Sequence, residues 1–194
     1  MNQISNLVLL FVAINAVTFL LMWWLNQKRR QKLENLANQL GGQPVSHFLA
    51  DAYVRLGQGP DEVRIRMIPG GKNQPNILEL QSRNPLGFSL TITKENVATR
   101  ALERWGLLKE VKIGDPLFDE QYLIRSNDPA QALMFLQGQG RREALEYFFR
   151  LGFTAFLAGN EAVAVRKPGY READLEPSLI RAHLEQLSRL AGKQ

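Results

Sequence analysis

The sequence predicts an α+β protein: an amino-terminal transmembrane helix followed by one cytoplasmic domain, whose antiparallel sheet of about seven or eight strands is covered by helices from the second half of the chain. Three observations predict it. An apolar run fills Ile4 to Leu25. From Asp51 to Glu95 hydrophobicity alternates with period 2 between turn clusters. Beyond Asp128 the apolar spacing becomes that of amphipathic helices, with one further hairpin among them.

Of the 22 residues from Ile4 to Leu25, 13 are Leu, Ile, Val or Phe and none is charged; the polar exceptions are Ser5, Asn6, Asn15 and Thr18. As a helix the run would rise roughly 33 Å at about 1.5 Å per residue, enough for a hydrocarbon core of about 30 Å. At about −0.3 to −0.6 kcal/mol each near the helix centre, the apolar side chains favour insertion by roughly 4 to 8 kcal/mol. A cleaved secretory signal fits poorly, because no basic residue precedes the run and it exceeds the usual apolar core of such signals. A buried soluble helix of this composition would need more surrounding core than 194 residues supply.

The segment after the span is basic. Trp23 and Trp24 stand where an interfacial aromatic belt belongs, followed by Lys28, Arg29, Arg30 and Lys32. The positive-inside rule then places the amino terminus outside and the carboxy-terminal domain in the cytoplasm of a bacterial inner-membrane protein. Residues 26–42 form a basic juxtamembrane helix, with Leu33, Leu36, Ala37 and Leu40 at helical spacing and Gly41-Gly42 as its stop. Such a stub either packs on its own domain or pairs with another helix. Asn15, near the bilayer centre, is placed either to bond another transmembrane helix or to bond its own backbone.

Charge confines the partners. Residues 26–40 carry four basic residues and one acidic, so 4 − 1 = +3 of the net +5; the rest, from Gly41, carries 20 − 18 = +2. The juxtamembrane excess suits anionic lipid at about 1 kcal/mol per basic residue. The near-balanced remainder argues against nucleic acid. The chain has no cysteine, which removes disulfides and thiolate chemistry and is compatible with a cytoplasmic domain.

Residues 43–194 are read as one domain. Gln43–Ala50 serves as a linker. Ala52–Gln58, Val63–Ile68, Asn76–Ser82 and Phe88–Lys94 read as four sequential strands of an antiparallel meander, separated by glycine- and proline-rich turns. Val97–Trp105 reads as a short helix, and Val111–Ile113 and Tyr122–Ser126 as strands around a turn at Gly114-Asp115-Pro116. Asp128-Pro129 opens a helix through Leu136, and Arg141–Leu151 forms another. Phe153–Ala158 and Ala162–Arg166 form a hairpin. A final helix, about Glu176–Leu190, carries the stripe Ile180, Leu184, Leu187 and Ala191. By element order alone, a pleckstrin-like roll with inserted helices is the nearest analogy.

The stretch Gly114 to Ile124, G-D-P-L-F-D-E-Q-Y-L-I, resembles a G-D-x-x-F-D-x-x-[FY]-x-[VI] signature of uncharacterised bacterial proteins that have an amino-terminal membrane helix. The resemblance extends loosely from Asp51 to Lys167. It implies a shared domain marked by Gly114, Asp115, Phe118, Asp119 and Tyr122, and it implies no established activity.

Asp115, Asp119 and Glu120 form a compact acidic cluster. As a divalent-metal or acid–base site it would need further oxygen ligands from elsewhere. The plainer expectation is that Asp115 caps a turn, Phe118 and Tyr122 plug the core, and Asp119 and Glu120 are solvated. Gly70-Gly71-Lys72 lacks the spacing and the hydroxyl residue of a phosphate loop. His47 and His183 have no companions at metal-ligand spacing. Arg55, Arg64, Arg66 and Arg83 are expected to line one sheet face, where they either meet lipid headgroups or are balanced by Asp61, Glu62 and Glu79.

No catalytic, cofactor-binding or metal site is assigned. The expected function is a non-enzymatic, membrane-tethered interaction or scaffold module. Its contact surfaces would be Asn15, the Leu33–Leu40 stripe and open strand edges; its partners would be the bilayer, a membrane protein or a second copy, with no nucleic acid and no identifiable small-molecule substrate. Two alternatives stand beside it: an anionic-lipid-sensing domain, and a hydrolase or metal-dependent enzyme around Asp115, Asp119 and Glu120.

Overall fold

One helix, α1 (Asn2–Leu40), carries the chain out of the apolar run and into the domain without a break. It belongs to a computed structural model that describes residues 2–46, 52–94 and 110–192, the side chains of 2–9, 22 and 139 excepted. The expected helix Val97–Trp105, and His47, lie outside the described residues. The helix ends because Gly41 takes a left-handed φ of 73°, letting the Gly42 amide donate to the Ala37 carbonyl at 2.8 Å. Gly42 also lies so close to the sheet that a Cβ there would sit 2.5 Å from Leu56 Cδ2.

Beyond it, eight antiparallel strands form one open sheet: β1 (Gln43–Val45), β2 (Tyr53–Leu56), β3 (Val63–Ile68), β4 (Ile77–Ser82), β5 (Leu90–Lys94), β6 (Tyr122–Ser126), β7 (Ala155–Ala158) and β8 (Val163–Pro168). Their spatial order is β1-β2-β3-β4-β8-β7-β5-β6. The fold is therefore α+β, an apolar amino-terminal helix with an antiparallel sheet and helices in the second half. The sheet does not close into a roll; β1 and β6 are its edges.

The expected meander stops at β4. The terminal hairpin β7–β8 lies between β4 and β5, so the Arg83–Ser89 loop crosses over its turn, held by the Leu86 amide on Gly159 O and the Asn84 amide group on Ala191 O. The segment read as a linker supplies β1, a three-residue edge strand containing Pro44. Val111–Ile113 forms no strand; the single bridge Glu110–Arg125 and the Val111 amide on Ile124 O cover β6 instead. The turn at Asp115 is the start of a six-residue helix, α2 (Pro116–Gln121). The other helices among the described residues are α3 (Pro129–Gln137), α4 (Gln139–Arg150) and α5 (Pro177–Leu190), with 3-10 turns at Gly59–Asp61 and Glu172–Leu175.

Strand alternation separates the two faces. Val54, Ile65, Leu80, Val165, Phe156, Ile92 and Ile124 stand in register across seven strands and are buried. Onto that row pack Ala132, Phe135 and Leu136 of α3, Leu145, Phe148 and Phe149 of α4, and Ile180, Leu187 and Leu190 of α5. Leu33, Leu36 and Ala37 of α1 belong to the same core. At about 1.5 to 3 kcal/mol for each large buried side chain, Leu33 and Leu36 fix the end of α1 to the domain.

Candidate functional site

The apolar half of α1 is long and hydrophobic enough to cross a membrane, and none of its window is buried within the protein. Leu10, Phe11, Val12, Ile14, Val17, Phe19, Leu20 and Leu21 all expose more than half of their surface. So much contiguous apolar surface is unstable in water and requires a lipid or protein cover. Asn15 donates to its own helix at the Phe11 carbonyl, 2.8 Å, and Thr18 to Ile14 O at the same distance. This self-bonding takes up a polar donor of Asn15 within the apolar half of α1.

At the exit, the ammonium of Lys28 stands 3.9 Å from the Trp24 ring centroid, one helical turn away. Trp23 and Trp24 are both exposed. Arg29 donates to Asn26 Oδ1 at 2.8 Å. Arg29 and Arg30 are half-buried, and Lys32 pairs with Glu172 at 2.8 Å, so the basic stretch already touches the folded domain. Arg181 of α5 adds a bond to the Gln39 carbonyl at 2.9 Å. The Leu33–Leu40 stripe, expected as a possible partner surface, is instead internal: Leu33, Leu36 and Ala37 are buried and Leu40 packs against the core.

The signature residues occupy structural positions around α2. Asp115 Oδ1 accepts from the Phe118 amide at 3.3 Å as the N-cap, and its Oδ2 meets Arg142 at 3.2 Å. Pro116 follows at the first helical position. Asp119 is not simply solvated: its two oxygens accept the Ile113 and Gly114 amides at 3.0 Å each, closing the loop in which Gly114 has φ 80°. Phe118 and Tyr122 are buried, their rings 4.5 Å apart, and Tyr122 stacks on Phe149 at 4.6 Å. Burial, and secondarily Glu146, raise the Tyr122 phenol above its ordinary range. Glu120 is exposed and, with Leu117, Phe118, Tyr122, Glu146 and Arg150, lines an open groove of about 770 Å³. Leu117, 72% exposed, is the large apolar residue on its rim. No group of three or more His, Asp or Glu able to hold a metal occurs among the described residues.

The four arginines do not form a free cationic face. Arg66 and Arg166 clamp Glu79 from the two neighbouring strands, at 2.9 and 2.6 Å, so a carboxylate on the helix-free face is fully covered. Arg64 pairs with Glu62 at 2.5 Å, with Arg83 3.9 Å from the same carboxylate, and Arg55 bonds Gln43. Glu62 and Glu79 balance this face.

One polar group gave no sign in the sequence. His183 of α5 is completely buried among Tyr147, Phe148 and Phe153, and its Nδ1 lies 2.9 Å from the Tyr147 hydroxyl. Burial pushes its pKa down to about 4, assisted by Lys167 and opposed by Asp174. Lys167 and Asp174 pair at 2.7 Å beside it. Tyr147 and His183 are 36 residues apart, so no local spacing could reveal them.

No protein-family model matches the chain, and no curated protein matches it either. Among solved structures the chain is similar to the crystal structure of the mycobacterial trehalose monomycolate transport factor A, TtfA. The two superpose with a TM-score of 0.51 over 84% of this chain and 92% of that one, at 13% sequence identity. At that identity the likeness is one of fold.

Proposed function

We propose that this protein is a non-enzymatic scaffold held on the cytoplasmic face of a bacterial inner membrane, presenting its domain to a membrane-protein partner. The observation that carries this reading is the construction of α1: one helix is lipid-suited for its first half and part of the domain core in its second. A domain fixed in this way is positioned for assembly at the bilayer. The structural likeness to a transport factor supports the same class of role. The carboxylates at Asp115 and Asp119 cap backbone amides, which favours a structural role for the signature over a reaction centre.

The partner-facing surfaces on this reading are the exposed lipid half of α1 and the groove beside Leu117, since the Leu33–Leu40 stripe is used internally. The strand edges contribute less. β1 is short and carries Pro44, and β6 is covered by Glu110 and Val111. Photo-crosslinking in native membranes, from probes at Val17 and Leu117, tests the proposal by mass spectrometry of the adducts. Discrete protein or self-adducts from either position support it. Background-level products from both would remove it. Protease treatment of spheroplasts checks the orientation, and a cleaved carboxy-terminal domain would contradict the cytoplasmic placement.

A further inference from the structure

The contacts of α1 determine which end of the domain meets the bilayer. Two contacts, one on the helix at Lys32 and one just past its end at Gly42, show which end of the sheet lies nearer the span. Gly42 abuts Leu56, at the end of the sheet shared by Val63, Ser82 and Val163. Lys32 holds Glu172, just past the opposite end at Pro168. From Lys32 to the helix end at Leu40 the rise is about 12 Å, a large part of the roughly 17 to 20 Å of the six-residue strand β8. The contact nearer the span is thus the one past the β8 exit. The end carrying the β3–β4 turn and the β8 exit points back toward the span.

That end is one continuous surface. The Gly169 amide donates to Asn76 O at 2.7 Å, and the Gly70 amide to Asn76 Oδ1 at 2.8 Å, so the Pro69–Asn76 turn and the Gly169–Glu172 segment are tied together. It exposes Lys72 and Arg171, while Glu172 is neutralised by Lys32 and Asp174 by Lys167. Tyr170 is half-buried beside them. Burial raises its phenol above the ordinary range, against the pull of Lys32 and Arg29, which places it next to the juxtamembrane cations.

The height matches a headgroup layer. Lys32 follows Leu25 by seven residues, about 10 Å along the axis. The polar layer of a bilayer extends about 5 to 8 Å beyond the hydrocarbon on each side. A lysine or arginine on this end spans the difference.

We propose that the β3–β4 turn and the Tyr170–Arg171 segment seat on the headgroups of the anchoring membrane, with Lys72 and Arg171 meeting lipid phosphate. The proposal rests on the membrane-anchor reading of α1. It moves the lipid-facing surface away from the ion-paired face of Arg55, Arg64, Arg66 and Arg83 to the end of the sheet.

The chain has no cysteine, so single-cysteine labels can be placed in the full-length protein. Asn73→Cys and Ala173→Cys report the proposed seat and leave Lys72 and Arg171 intact. Asn160→Cys reports the opposite end, in the β7–β8 turn, and Val17→Cys reports the span. Each is labelled with a small fluorophore and reconstituted into phosphatidylcholine vesicles containing a minority of phosphatidylglycerol. Headgroup-attached nitroxide lipid is expected to quench the labels at 73 and 173 severalfold more than the label at 160. Replacing Lys72 and Arg171 by Gln should lower the seated-to-lifted ratio about fivefold per charge removed. If 73 and 173 are quenched no more than 160 while acyl-chain nitroxide quenches 17, the seat is wrong and the anchor stands. If acyl-chain nitroxide leaves 17 unquenched, the anchor reading itself fails.

Discussion

The two halves of α1 both carry leucines, and those leucines meet different surroundings. From Leu10 to Leu21 the apolar side chains with described positions are exposed on every side of the helix. From Leu33 to Leu40 the apolar residues occupy one stripe, and Leu33, Leu36 and Ala37 are buried while Glu34, Asn35, Asn38 and Gln39 are exposed. The first half is apolar all round, as lipid demands. The second is amphipathic, as packing on one side demands. An exposed leucine thus acquires meaning only from the solvent it faces.

The comparison can be broken by placing one charge in each half. Ala37→Asp puts an unpaired carboxylate into a fully buried position and should destabilise the domain by on the order of 3 to 5 kcal/mol, read as a lowered denaturant midpoint in detergent. Ile14→Asp should leave that midpoint unchanged and weaken insertion by about 2.5 to 3.5 kcal/mol, read by membrane fractionation. Equal effects of the two on the domain would erase the distinction.

Acid separates the halves next. His183 has a folded pKa of about 4 against an ordinary value of 6.5, so the unfolded chain binds a proton that the folded domain refuses. Its stabilisation is complete above pH 6.5 and is lost as pH falls from there toward 4, by about 3 kcal/mol in all. Asp174 acts in the same direction. Burial would raise its pKa, but the Arg171 amide and Lys167 outweigh that and lower it, so its contribution also disappears as pH falls. Near-ultraviolet circular dichroism should show the domain loosening over this range while the span stays helical. A domain midpoint independent of pH between 6.5 and 4 would contradict the burial of His183.

Smaller effects test the signature and the helix contact. Asp115→Ala removes the cap of α2 and should cost about 1 kcal/mol, again by denaturant midpoint. Glu172→Gln removes the exposed partner of Lys32 and should leave the midpoint unchanged, because Leu33 and Leu36 hold the helix.

Local patterns in the sequence accounted for local structure. The alternation of Val63, Ile65 and Met67 with Arg64 and Arg66 gives β3 and its two faces, and Asp128-Pro129 starts α3 with the Asp128 side chain accepting the Gln131 amide. The stripe on α5 is also legible, since Ile180 and Leu187 are buried. The rest depended on long-range contact. β1 is a strand only because β2 offers an edge to residues that include Pro44. β5 leaves the meander because the β7–β8 hairpin, more than sixty residues later in the chain, occupies the place beside β4. The signature aspartates were legible as caps at Asp115 but not at Asp119, whose acceptors' partners lie five and six residues back. The groove at Leu117 and the His183–Tyr147 contact join residues whose neighbours in sequence carry no common pattern.

The continuity of α1 through residues 26–32 joins its apolar half to the domain half, and hydrogen–deuterium exchange of the full-length protein in vesicles measures it directly. Backbone amides from Asn26 to Lys32 should exchange slowly, with protection running unbroken from the span into Leu36. Fast exchange confined to 26–32, between two protected flanks, would show a hinge there and contradict a domain held rigidly on its anchor.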